Sequence, residues 1–155
     1  MRYRTSGALI AIAVGVVVAD TALAQAPAAQ RARACSLLPK EEVKQHLPWE
    51  AMLDNIAPEE TPIGAAGSSC DYPGVTIQVL PATSRIMEIA RAKSGVETVS
   101  GIGTEALFHV NPSGYAELYV RTARQVLTIQ ASAPNGVAQV KPGVLSLARV
   151  LVGKL

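Results

Sequence analysis

Two histidines, two cysteines and two adjacent acidic pairs carry most of the reactive chemistry in this chain. His46, His109, Cys35 and Cys70 would together make four zinc ligands. No pair of them has a chelating spacing such as C-x-x-C or H-x-x-x-H, and oxidised cysteines offer no thiolate, so no metal is expected. Glu41-Glu42 and Glu59-Glu60 are neighbours in sequence. Adjacent side chains point apart on a helix or strand, so these read as solvated acids rather than an acid–base pair. A hydrolase needs a nucleophile activated by a base. There is no G-x-S-x-G elbow; Ser100 and Ser113 are the serines nearest in sequence to His109, the residue a hydrolase reading would use as base. Gly101-x-Gly103-x-x-Ala106 fits a relaxed dinucleotide fingerprint. That motif needs a helix after it, whereas Leu107-Phe108-His109-Val110 alternates like a strand. The glycines are read as turn residues, and no cofactor is expected.

The most promising recognition feature is a row rather than a motif. Tyr115, Glu117, Tyr119 and Arg121 alternate with Ala116, Leu118 and Val120, so all four fall on one face of a strand. Thr76, Gln78, Thr128 and Gln130 extend that face if their strands pair with it. Tyrosine and arginine combine large contact area with a polar handle, which suits a binding surface. The competing reading is an ordinary wet sheet face.

The compartment is read from the first 24 residues. Arg2 and Arg4 precede an apolar run from Ala8 to Ala19, and Ala22-Leu23-Ala24 is an A-x-A cleavage site. Residues 1–24 are expected to be a signal peptide, too short in its apolar run to span a bilayer comfortably. Residues 25–34, rich in Ala, Pro and Gln, read as a flexible leader, and 35–155 as a single domain. The signal holds two of the 14 basic residues and one of the 12 acidic ones, so the remainder carries 12 against 11. A nearly neutral chain has no footprint for nucleic acid and no polybasic membrane patch. An even cysteine count in an exported chain favours a Cys35–Cys70 disulfide. A lipid-modified Cys35 is set aside, because Arg31-Ala32-Arg33-Ala34 stands where a lipobox needs small and apolar residues.

These side chains must be held by a small set of elements. Leu38 to Leu47 starts with Pro39, carries acids in its first turn and stops before Pro48, as a helix does. Trp49 to Ile56 is ambiguous, with Trp49 read as core, and 57–69 as loop. Strands are expected over 68–72 and 75–80, then a helix over 84–93 with Ser84 as cap and Ile86, Ile89 and Ala90 as its stripe. Strands follow at 106–110, 115–122 and 125–131. Val140, Val144, Leu147, Ala148 and Leu151 then recur at helical spacing, with Pro142 in or near the first turn. Short turns between strands imply an antiparallel sheet. The expected class is α+β, in the order α-β-β-(β)-α-β-β-β-α, with helices packed on one face and the other face wet.

Three local signatures carry a resemblance. Cys35-Ser36-Leu37-Leu38 runs into a helix containing Glu42; Ser69-Cys70-Asp71-Tyr72 opens a hairpin; Gly101-Ile102-Gly103-Thr104-Glu105-Ala106 precedes a strand. In this order the chain resembles small exported bacterial proteins and lipoproteins of uncharacterised function. It departs from them at Pro39, where a capping Thr is common, and in lacking their lipobox. The resemblance implies an exported α+β domain with a disulfide, and no catalytic residue. The expected function is a periplasmic or secreted binding module whose partner is an envelope protein or a small ligand. The alternatives are an exported hydrolase using His109 and a periplasmic inhibitor or accessory subunit.

Overall fold

The structure, a computed structural model, describes residues 33–47, 56–134 and 136–155. The expected signal peptide, most of the leader and Trp49 lie outside the described residues. Four helices and seven strands are described: α1 (Ala34–Leu37), α2 (Lys40–His46), β1 (Glu59–Ile63), β2 (Gly67–Tyr72), β3 (Val75–Pro81), α3 (Ile86–Arg91), β4 (Glu97–Val99), β5 (Glu105–Val110), β6 (Tyr115–Arg121), β7 (Gln125–Ser132) and α4 (Val137–Val152). The strands form one sheet in the order β1-β2-β3-β7-β6-β5-β4, and every pairing is antiparallel. The class is α+β, as the alternation and short turns imply.

One face of the sheet holds the main core. Ile77, Phe108, Leu118, Val120, Leu127 and Ile129 are buried there against Val140, Val144, Leu147 and Leu151 of α4 and Val43 of α2. Pro39 divides the first helical segment in two. Leu38 before it is extended, with φ −129° and ψ 91°, because the proline ring crowds a helical residue at that place. Helix α1 starts at Ala34, one residue before Cys35: Ala34 is buried, and its N–H donates to Ser68 Oγ at 2.7 Å. Cys35 and Cys70 lie at bonding distance, S–S 2.06 Å, and tie α1 to β2. In the chain-entropy model this closure contributes about 4 kcal/mol. Tyr72 Oη donates to Leu38 O at 2.6 Å and closes the same corner.

Pro142 lies inside α4, beyond its first turn. Next to it, Gly143 brings α4 against the end of α2: a Cβ there would stand 2.0 Å from the His46 carbonyl oxygen. The helix pair therefore meets backbone to backbone at a residue without a side chain.

Two strands were not legible as such. β1 falls in the stretch expected to be loop, and β4 in a stretch assigned no strand. Both are sheet edges and mostly exposed, so neither shows the alternation of a half-buried strand. Pro62 sits in β1, an edge position that tolerates a missing N–H.

The expectation that all helices share one face is corrected. α1, α2 and α4 lie over the main core, but α3 lies over β5 and β6 on the opposite face. The strand order supplies the reason. The chain leaves β3 and must reach β4 at the far edge, passing β7, β6 and β5 on the way. Leu80, Leu107 and Val126 point to that second face and are buried there with Met87 and Ala90 of α3. Ile89, assigned to the stripe, is 56% exposed, while Met87 is fully buried in its stead.

Candidate functional site

The second face gathers nearly every candidate. Pairing sets Thr76 opposite Gln130 and Gln130 opposite Glu117, which faces His109. The neighbouring row runs Gln78, Thr128, Tyr119. The extension of the Tyr115–Arg121 face onto β3 and β7 is therefore as the alternation implies.

The row is not an open one, which corrects the expectation of a wet face. Glu117 is 9% exposed and Tyr119 7%, because α3 and the chain after it cover this end; Tyr115 stays 37% exposed. Arg121 is half-buried. Its Nη1 donates to Ala82 O at 3.2 Å, and its Nε lies 3.8 Å from a Glu105 carboxylate already gripped by both Nε and Nη2 of Arg91, at 2.8 and 2.5 Å. The four residues thus split into one outward ring, a buried acid–phenol pair and a guanidinium spent on local contacts.

Glu117 is the hub of the buried part. Lys93 Nζ, just beyond α3, donates to its Oε2 and, at 2.6 Å, to Tyr119 Oη. Tyr119 Oη donates to Glu117 Oε2 at 2.7 Å, and Asn111 Nδ2 to Oε1 at 3.0 Å. His109 Nδ1 lies 3.1 Å from Oε2. An ionised carboxylate can only accept, so this bond places the proton on Nδ1. Burial pushes the Glu117 carboxyl up, but the hydrogen bonds from Lys93, Tyr119, Asn111 and His109 outweigh it and hold the group at about 2. Burial pulls Lys93 down, yet its bonds to Glu117 and Tyr119 leave it above its ordinary value. Burial, helped by Glu117, raises the Tyr119 phenol.

Such a cluster fixes structure and is poor at proton transfer. A carboxylate held at about 2 is far too weak a base at neutral pH. His109 does have an acid orienting its Nδ1, but among the described residues neither Ser100 nor Ser113 hydrogen bonds to it. No three metal-ligating side chains come together among the described residues. Gly101 and Gly103 adopt φ +77° and +60°, and a Cβ on Gly103 would stand 2.4 Å from Arg121 O, so this turn needs glycine to pass β6. Strand β5 follows it, as the alternation implies.

Beside the cluster the face opens into a cleft of about 90 Å³. Thr76, Gln78, Thr128 and Gln130 form its floor, with Ile86, Glu117 and Tyr119 as its wall. A second hollow of about 260 Å³ shares Thr76 and Gln130 and extends to Tyr72, Gly74 and Tyr115. Together they make a groove along β7. At about 3.3 Å per residue, its side from Gly74 to Gln78 is about 13 Å long. Lys93, Asn111 and Ile86 are the residues the sequence reading missed. A signal existed for Lys93: it follows the apolar stripe of α3 and is a cation with three buried polar groups to answer. No described helix is long and apolar enough to cross a membrane. No family model, no curated protein and no solved structure matches this chain.

Proposed function

We propose that this chain is an exported binding domain, periplasmic or secreted, whose ligand lies in the groove along β7. The observation that carries the reading is the division of the second face: one part is locked by Glu117 and Lys93 beneath α3, while beside Ile86 of α3 the face opens into a cleft lined by the amides of Gln78 and Gln130. Polar side chains held on a rigid sheet are a pre-organised surface, and an outward tyrosine gives contact area at its end. Export is supported by the order of charged, apolar and small residues at the N-terminus and by the Cys35–Cys70 pair. The saturated state of Glu117, and the lack of a hydroxyl on His109 among the described residues, favour binding over hydrolysis.

The test is a titration of isotope-labelled mature protein with fractions of the cell envelope. Amide resonances of Thr76, Gln78, Thr128 and Gln130 are expected to move together and saturate. Movement confined to another face, or none with any fraction, refutes the groove. Mass spectrometry of the exported protein should find Gln25 at the N-terminus; a retained Met1 refutes export by this signal.

A further inference from the structure

We infer that the groove along β7 takes a neutral glycan, an assignment that rests on the binding reading above. The first argument is position. β7 is the central strand of the seven, paired with β3 on one side and β6 on the other. Extended peptides gain their affinity at a sheet edge, where unpaired backbone groups add a strand. Over β7 the ladder is already complete, so a ligand here must be held by side chains and must bring its own dense set of hydroxyls.

The second argument is charge. No lysine or arginine lines the groove among the described residues. Glu117 is paired with Lys93, and Asp71, beside Thr76, accepts from Ser69 Oγ at 3.0 Å and Thr76 Oγ1 at 2.7 Å. Two carboxylates, with no free cation lining the groove among the described residues, disfavour phosphorylated or acidic ligands. The remaining valences are those of amides. Gln78 Oε1 accepts from Thr128 Oγ1 at 3.3 Å, which leaves its amide N–H groups to a ligand. Gln130 is exposed and its amide has no hydrogen bond within the described residues.

The third argument is shape. The cleft of about 90 Å³ and the adjoining hollow of about 260 Å³ both lie open on the sheet face rather than enclosing a cavity. An open groove about 13 Å long, with Tyr115 lining one end, suits a short oligosaccharide. The apolar face of a pyranose can lie on the tyrosine while its hydroxyls reach the amides.

The experiment titrates the labelled mature chain with a trimer of N-acetylglucosamine, a trimer of glucose and a neutral hexapeptide of glycine, serine and asparagine. At least one sugar is expected to move the amides of Thr76, Gln78, Thr128 and Gln130 saturably. The double variant Gln78→Ala with Gln130→Ala should bind that sugar at least tenfold more weakly while hydrogen exchange in β7 stays as in the wild type. Failure of both sugars to move these amides overturns the assignment. If the peptide or an envelope fraction still moves them, the groove remains a binding site for another class. If nothing moves them, the binding reading falls as well. Unweakened sugar binding by the double variant also overturns the assignment.

Discussion

The two faces of the sheet are held by different physics. On the first, α1, α2 and α4 bury a continuous apolar core, with the Cys35–Cys70 pair at one corner. On the second, one short helix covers a cluster of six buried side chains, Leu80, Met87, Ala90, Leu107, Tyr119 and Val126. Lys93 and Glu117 fasten the chain just past that helix. Apolar burial is non-directional and scales with area, so the first face supplies most of the stability. A hydrogen-bonded ion pair adds less net free energy but fixes position, because breaking it strands a charge. The contrast teaches where function can sit: the first face is filled by apolar packing under three helices, while the second keeps a polar cleft lined by Thr76, Gln78 and Gln130 beside a fixed wall.

Four substitutions separate the two faces by their cost. Phe108→Ala empties the centre of the first face and is expected to cost about 4 kcal/mol. Chemical denaturation should show one cooperative transition at lower denaturant; a loss below about 1 kcal/mol would mean that this face is not the main core. Glu117→Gln strands Lys93 under partial burial and should cost about 3 kcal/mol, the low end for a broken pair because Lys93 keeps its bond to Tyr119. Acid should expose the same term. Glu117 is depressed from 4.5 to about 2, so its contribution is present above 4.5 and is lost as pH falls through about 2. The loss is on the order of 3 kcal/mol at about 1.4 kcal/mol per unit, and should be absent from the Glu117→Gln variant. Equal acid sensitivity in the two proteins would place the effect elsewhere.

Met87→Ala should cost about 2 kcal/mol, the lower end for a buried methionine, because the helix it anchors is short and can settle. Hydrogen exchange should accelerate in α3 and β5 while β7 keeps its protection; acceleration everywhere would show that the two faces unfold as one. The smallest effect is expected at Ile89. Ile89→Ser should stay within about 0.5 kcal/mol of wild type, since the side chain is exposed. A loss as large as that of Met87→Ala would restore the helical stripe first expected there.

Much of the candidate site was legible, because strand alternation is a local property. Leu118 and Val120 had to point one way and Glu117 and Tyr119 the other, and the same period placed Thr76, Gln78, Thr128 and Gln130 as candidates for one surface. Their union depended on register, which β3, β7 and β6 supply. The cover over Glu117 was not legible. Leu80, Leu107 and Val126, apolar on the polar side of their strands, were the signal that something must lie there.

By itself the sequence determined the α+β class, the central strands, the face each side chain takes and the C-terminal helix, because each follows from periodicity and turn chemistry within a short window. The tertiary structure decided that β1 and β4 are edge strands and that α3 crosses the second face. It also decided that Lys93 meets Glu117 and that a groove is left along β7. These depend on which distant segments pair. A chain that must travel from β3 to the far edge has to cross a face, and Leu80, Leu107 and Val126 mark which one only once strand pairing sets them side by side.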